Sequence, residues 1–138
     1  VKTLRKIKFR AYIKKLGKIV NVEEINFSNE TIGVKVPGEG YLLVYNFKDF
    51  ELMQYTGLKD KNGVEVYEGD ILKLFYGKEN TPLTTTKVFF NKEGYWDSKN
   101  LSEQHPVRAC YGGFNKCEVI GNIYENPELL EGEENASN

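Results

Sequence analysis

Residues 54–76, QYTGLKDKNGVEVYEGDILKLFY, decide how the chain is read. Asn62-Gly63 is a dipeptide that accepts positive φ at low cost, so it favours a tight reversal between extended segments. Glu68-Gly69-Asp70 marks a second reversal. Ile71 to Tyr76 then runs apolar on both faces except at Lys73, as a strand buried on most sides does. Two sharp turns feeding a strong strand with no spare residues point to a small β fold.

Upstream, Ile7, Phe9, Ala11 and Ile13 alternate with Lys6, Lys8, Arg10 and Tyr12, the period of a half-buried strand. Gly17 closes the turn at residues 14–18. Ile19 to Phe27 reads as a second strand whose apolar phase slips between Val22 and Ile25, so a bulge is expected near Glu23-Glu24. After a turn at Ser28-Asn29-Glu30, Ile32, Val34 and Val36 form a third strand and Tyr41 to Tyr45 a fourth. The short connections are those of an antiparallel meander. Phe47-Lys48-Asp49-Phe50 can open a short helix or turn before Glu51 to Tyr55, and an extended reading is adopted there.

Downstream, Gly77 to Thr84 reads as a polar loop holding Pro82, and Thr85 to Phe90 as a strand. Asn91-Lys92-Glu93-Gly94 turns into Tyr95-Trp96, and Ser98 to Pro106 reads as irregular and exposed. Val107 to Tyr111 and Lys116 to Ile120 flank Gly112-Gly113 as a hairpin. Asn126-Pro127 places a capping residue before proline, which predicts one helical turn through Leu130. Glu131 to Asn138 lacks apolar anchors and reads as a frayed tail. The expectation is a mainly β protein. An N-terminal meander covers residues 1–50, and a C-terminal SH3-like small barrel with a short helical turn covers 51–131. An acidic, polar tail covers 132–138. The SH3-like element is the Glu68-Gly69-Asp70-Ile71-Leu72 turn into a strand, a fold analogy without functional content.

The segments ELMQYTGLKDKNG (51–63) and YEGDI (67–71) resemble the YopX family of phage and prophage proteins. VIGNIYENPELL (119–130) is similar to that family's closing motif, and IKFRA (7–11) to its opening. The resemblance brackets nearly the whole chain and leaves residues 77–116 unmatched. It implies a phage-encoded cytoplasmic accessory protein and brings no established activity.

At 138 residues the chain needs neither disulfide nor metal to fold, since a globule of this size buries about two thirds of its unfolded surface. No apolar run approaches the roughly 18 residues of a membrane span. No secretory leader is evident, so a cytoplasmic setting is expected and the sequons at Asn26, Asn29, Asn100 and Asn135 carry no meaning. The net charge of −1 conceals opposed ends. Lys2, Arg5, Lys6, Lys8, Arg10, Lys14, Lys15 and Lys18 crowd the start. Glu125, Glu128, Glu131, Glu133 and Glu134 crowd the finish. Such ends suit nucleic-acid contact, contact between the two ends, or simple solvation.

Catalytic and metal-binding readings find little support. The soft ligands are His105, Cys110 and Cys117, and the two cysteines are not at zinc-ligand spacing. No metal or other cofactor is expected, and the cysteines read as free thiols. His105 precedes Pro106 in a polar segment, a poor place for a catalytic base. Asp60 and Asp70 read as turn stabilisers, while an acid-based site around Glu65 and Asp70 remains the enzymatic alternative. The glycines at 33, 38 and 40 mimic a phosphate loop, but Glu39 stands where lysine is required.

The basic strand carries the most interest. Lys6, Lys8 and Arg10 fall roughly 7 Å apart along one face, and Tyr12 adds a ring on which a base could stack. The same lysines could instead protect an exposed sheet edge from aggregation. The functional expectation is therefore a non-enzymatic binding or assembly module that associates with itself or with another phage or host protein. Glu128, Leu129, Leu130 and Glu131 are its candidate oligomer contact. The alternative is a nucleic-acid binder using Lys6, Lys8, Arg10 and Tyr12. No small-molecule substrate is evident.

Overall fold

The computed structural model describes residues 5–35, 37–38, 40–76, 81–99 and 114–130. The chain divides into two compact units, Val1–Tyr55 and Thr56–Asn138. Both are antiparallel β structures, so the mainly β expectation holds. Among the described residues no helix is long and apolar enough to cross a membrane.

The first unit contains β1 (Phe9–Ile13), β2 (Lys18–Asn26), β3 (Thr31–Val34) and β4 (Leu43–Asn46), then a 3-10 turn at Phe47–Asp49 and the start of β5 (Phe50–Lys59). Phe47–Asp49 is therefore a turn where the sequence reading had it extended, and Phe47 packs edge-on against Phe50 at 5.7 Å between ring centroids. The strand order is β4-β3-β2-β1-β5. The expected slip in β2 is present, with the pairing to β3 shifting between Val22 and Glu24. One sheet face buries Ala11, Ile13, Val20, Ile32, Val34 and Phe50, flanked by Val22, Ile25, Leu43, Tyr45 and Leu52. Alternation alone explains this set, since pairing at Ala11↔Val20 and Ala11↔Leu52 puts apolar partners on one side.

In the second unit the end of β5 pairs with β6 (Glu65–Tyr67). Gly57 takes φ 85° within β5, and Thr56 Oγ1 donates to the Val66 carbonyl at 2.8 Å. At the Asn62-Gly63 turn only Gly63 adopts positive φ, at 82°. Gly63 N–H donates to the Asp60 carbonyl, and Asp60 N–H to that of Val64. This is a three-residue loop ending in a left-handed glycine. Gly69, at φ 86°, makes the second reversal.

A four-stranded sheet follows, ordered β10-β7-β8-β9, from β7 (Asp70–Tyr76), β8 (Thr81–Phe90), β9 (Trp96–Lys99) and β10 (Cys117–Asn122). Val66 of β6 joins Leu72, Val88, Phe114 and Cys117 in its core, with Leu74, Trp96 and Val119 at the margin. Thus the β6 arm and the sheet share one core.

Two loop expectations are corrected. Thr81–Thr84 is strand, because β8 pairs with β7 as far as Tyr76↔Thr81. Pro82, which has no N–H to donate, falls where the register shifts between Leu74 and Phe75. Ser98 is 1% exposed in β9. Residues 77–80, 100–113 (with His105, Cys110 and the first arm of the Gly112-Gly113 hairpin) and the 131–138 tail lie outside the described residues. Glu128–Leu130 forms the expected helical turn.

The close of the chain is held by asparagines. Asn122 Oδ1 receives the N–H groups of Tyr124 and Glu125, and Asn126 Oδ1 receives that of Asn122. A Cβ on Gly121 would lie 2.6 Å from Asn126 Oδ1 and 2.9 Å from its Cγ. Gly121→Ala is therefore expected to cost about 1–3 kcal/mol in urea unfolding, by displacing Asn126 from its bond. An unchanged unfolding midpoint would show that this junction is slack.

Candidate functional site

The basic strand does not lie at a sheet edge. β1 is paired on both sides, with β2 through Arg10↔Asn21 and with β5 through Arg10↔Met53. Arg10 therefore lies on an interior strand, where it guards no edge, and both lysines precede β1. Lys6 precedes the strand and is exposed, whereas Lys8, Arg10 and Tyr12 are half-buried. Their face also carries Met53, fully buried, and Tyr55, 6% exposed. Lys8 sits opposite Tyr55, whose N–H donates to the Lys8 carbonyl at 2.9 Å, and its ammonium lies 5.9 Å from the Tyr55 ring centroid. All four proposed contact residues already interact within the protein. The row is thus partly covered, and a bound strand would have to displace existing contacts.

The carboxylates of the central stretch are directed at backbone amides. Asp60 is 5% exposed. Its Oδ1 accepts from Asn62 N–H at 2.8 Å and Val64 N–H at 2.9 Å, and its Oδ2 from Val119 N–H at 2.9 Å. Lys61 N–H adds a bond to the Cys117 carbonyl. The β5–β6 turn is in this way fastened along β10, an outer strand of its sheet, and occupies donors and acceptors that would otherwise be open. Asp70, 1% exposed, accepts from Tyr67 N–H at 2.8 Å. These are the turn-stabilising roles. Among the described residues no three His, Cys, Asp or Glu side chains are grouped to hold a metal.

Cys117 lies beside this fastening. Burial first, and then the Asp60 charge, push its thiol up from 9.0 to about 11. A thiol so placed is kept neutral and unreactive.

The C-terminal oligomer candidates are distributed differently from one another. Glu128 is exposed, Leu129 half-buried and Leu130 5% exposed, while Glu131 lies outside the described residues. Leu130 serves as an anchor of its own fold.

The open surface lies elsewhere, on β4. Among the described residues this strand pairs only with β3, which makes it the open edge of the first unit. Tyr41 and Val44 are each 64% exposed, and Leu42 and Phe47 are each 40% exposed. Val44 stands opposite Gly33, which offers no side chain to cover it. Beyond Gly33 lies Glu24, whose side chain reaches so far over the glycine that a Cβ there would lie 2.8 Å from its Cγ. A depression lined by Glu23, Glu24, Lys35, Gly40, Tyr41 and Leu42 borders one end of the strand. Another, lined by Asn29, Glu30, Asn46, Phe47 and Lys48, borders the other. β4 itself holds no charged residue and no proline, the usual guards of an edge. Sequence reading recognised this strand but not its position. Which strand of a meander is left open depends on where β5 docks, and that choice is not local.

Two outcomes test the fastening. Asp60→Ala leaves three partly buried donors without their acceptor and is expected to cost about 1–3 kcal/mol in urea unfolding. A loss below about 0.5 kcal/mol would mean that water replaces the carboxylate. Cys117 is neutral in the fold up to about pH 11, while the unfolded thiol ionises near 9. Its contribution is complete below pH 9 and falls away as pH rises towards 11, by about 2–3 kcal/mol. The wild-type stability should therefore drop more steeply across that window than Cys117→Ala, and parallel curves would contradict the assignment.

The comparisons with known proteins accord with this architecture. The chain matches the crystal structure of protein EF1440 from Enterococcus faecalis with a TM-score of 0.60 and 29% identity, over 92% of this chain and 99% of that one. The X-ray structure of protein yopX from Bacillus subtilis matches in fold with a TM-score of 0.60 and 22% identity, over 91% of this chain and 96% of that one. No curated protein matches the chain. The family model described as YopX protein matches residues 8–131, spanning both units, and the chain therefore belongs to the YopX protein family.

Proposed function

We propose that the protein is a non-enzymatic association module whose contact surface is the open edge of β4 and whose partner is a second copy of the chain. The observation that carries this reading is a neutral, unguarded edge flanked by exposed apolar side chains. Backbone N–H and C=O groups on such an edge pair readily with another strand. The segment is also self-complementary. Val44 stands midway between Tyr41 and Phe47, so a two-fold axis at Val44 sets Tyr41 of one copy opposite Phe47 of the other. Antiparallel addition then covers the four exposed apolar side chains and continues the sheet.

Several observations weigh against the alternatives at the sites first considered. The Asp60 and Asp70 carboxylates are used by backbone amides, and Lys8 and Arg10 are half-buried and engaged. An accessory role in a phage or prophage setting is what the family resemblance suggests, with self-assembly as its physical basis.

Light scattering coupled to size exclusion tests the reading. The wild type is expected to elute at twice the chain mass. Val44→Lys would set two ammonium groups opposite each other at the axis and is expected to yield a monomer that keeps the far-ultraviolet circular dichroism of the folded chain. A monomeric wild type, or an oligomer indifferent to Val44→Lys, would contradict it.

A further inference from the structure

The second unit carries a basic and aromatic surface that association through β4 leaves unused. Leu72, Leu74, Val88, Cys117 and Val119 define the core side of the four-stranded sheet. Alternation therefore places Lys73 and Phe75 of β7, Thr85, Lys87 and Phe89 of β8, and Lys99 of β9 on the opposite side. The register agrees, pairing Lys73↔Thr85 and Lys87↔Lys99. Each ring on this side has lysine over it. The Lys61 ammonium lies 4.1 Å and that of Lys73 5.9 Å from the Phe75 centroid, and that of Lys99 lies 4.7 Å from the Phe89 centroid. Lys116 adjoins the first ring, its carbonyl receiving the Phe75 N–H at 2.9 Å. Against these lysines stand Glu118, opposite Lys73, and Asp97, which is 3% exposed.

We infer that this face binds single-stranded nucleic acid. Single-strand binders combine lysines that follow the phosphates with rings on which bases stack, and the sheet supplies both in two places. Phe75 pairs opposite Pro82, and Phe89 lies seven positions further along β8, so the rings stand about 20 Å apart. That separation admits a few nucleotides, with Lys87 between the rings. Ile71, in the same row, is fully buried, so the two ring-and-lysine clusters form separate footholds. Lysine over an aromatic ring is suited to exchange, because a base can take the ring face while the ammonium turns to the adjoining phosphate. Duplex DNA, whose bases are stacked inward, offers no such exchange.

Fluorescence anisotropy with labelled single-stranded oligonucleotides at low and moderate salt tests the inference on the full chain. Binding is expected to weaken as salt rises, with slope about −0.7 per neutralised phosphate. Phe75→Leu is expected to weaken it about tenfold at constant salt, as loss of one stacked base does. Lys61→Glu with Lys73→Glu should weaken it further. Lys116→Glu, an exposed turn substitution that spares the strands, should also weaken it. Val44→Lys in the other unit should leave it unchanged, which separates this site from the association edge. Circular dichroism melts identify any variant that fails to fold, and Lys116→Glu then decides. No binding at low salt, equal affinity for duplex, or binding reduced by charge reversal but unmoved by Phe75→Leu would overturn the inference.

Discussion

The carboxylate of Asp60 is the point on which the second unit depends. Three backbone amides converge on it, two from its own turn and one from Val119, fifty-nine residues away. Hydrogen bonds to an ionised acceptor are stronger than neutral ones, and buried donors left without one are costly. One side chain thus fixes the shape of the β5–β6 turn and holds that turn along β10. With the arm in place, Val66 reaches the core shared by Leu72, Val88, Phe114 and Cys117. The raised Cys117 pKa expresses the same burial, since the thiol beside Asp60 is shielded from water.

The first unit solves its edge problem on one side only. β5 pairs along the full length of β1, from Phe9↔Gln54 to Ile13↔Phe50, and turns the basic strand into an interior one. The meander then terminates at β4, where neither lysine nor proline interrupts the strand and Val44 faces solvent across Gly33. Sheets that leave such an edge in solution are prone to pair through it. Its neutrality and its near-symmetry about Val44 favour a copy of the same strand as partner.

Much of the fold was legible because its punctuation is local. Gly63 and Gly69 take the positive φ their turns demand, and the slip near Glu23 appears as a bulge. Alternation placed Ala11 and Ile13 in the core, but Ile7, expected on the same face, is 66% exposed because β1 begins only at Phe9. What escaped depends on distant pairing. Thr81 to Thr84 looks like loop until β7 is set beside it, and Ser98 looks exposed until it is paired with Val88. Charge draws attention to Lys8 and Arg10, whereas the lysines and rings of the second sheet come together only when β7, β8, β9 and the β5–β6 turn are assembled. Likewise, Tyr41 to Tyr45 reads as one more apolar strand until the sheet order leaves it at the edge.

Self-pairing at β4 is the central claim, and amide hydrogen exchange reads it directly. The outward amides of residues 43–46 are unprotected in a monomer and hydrogen-bonded in a two-fold assembly. The account predicts that their protection rises with protein concentration, while that of interior strands such as β1 stays constant. Rapid exchange at β4 that is the same at every concentration would contradict it, and the edge would then be an unpaired feature of a monomer.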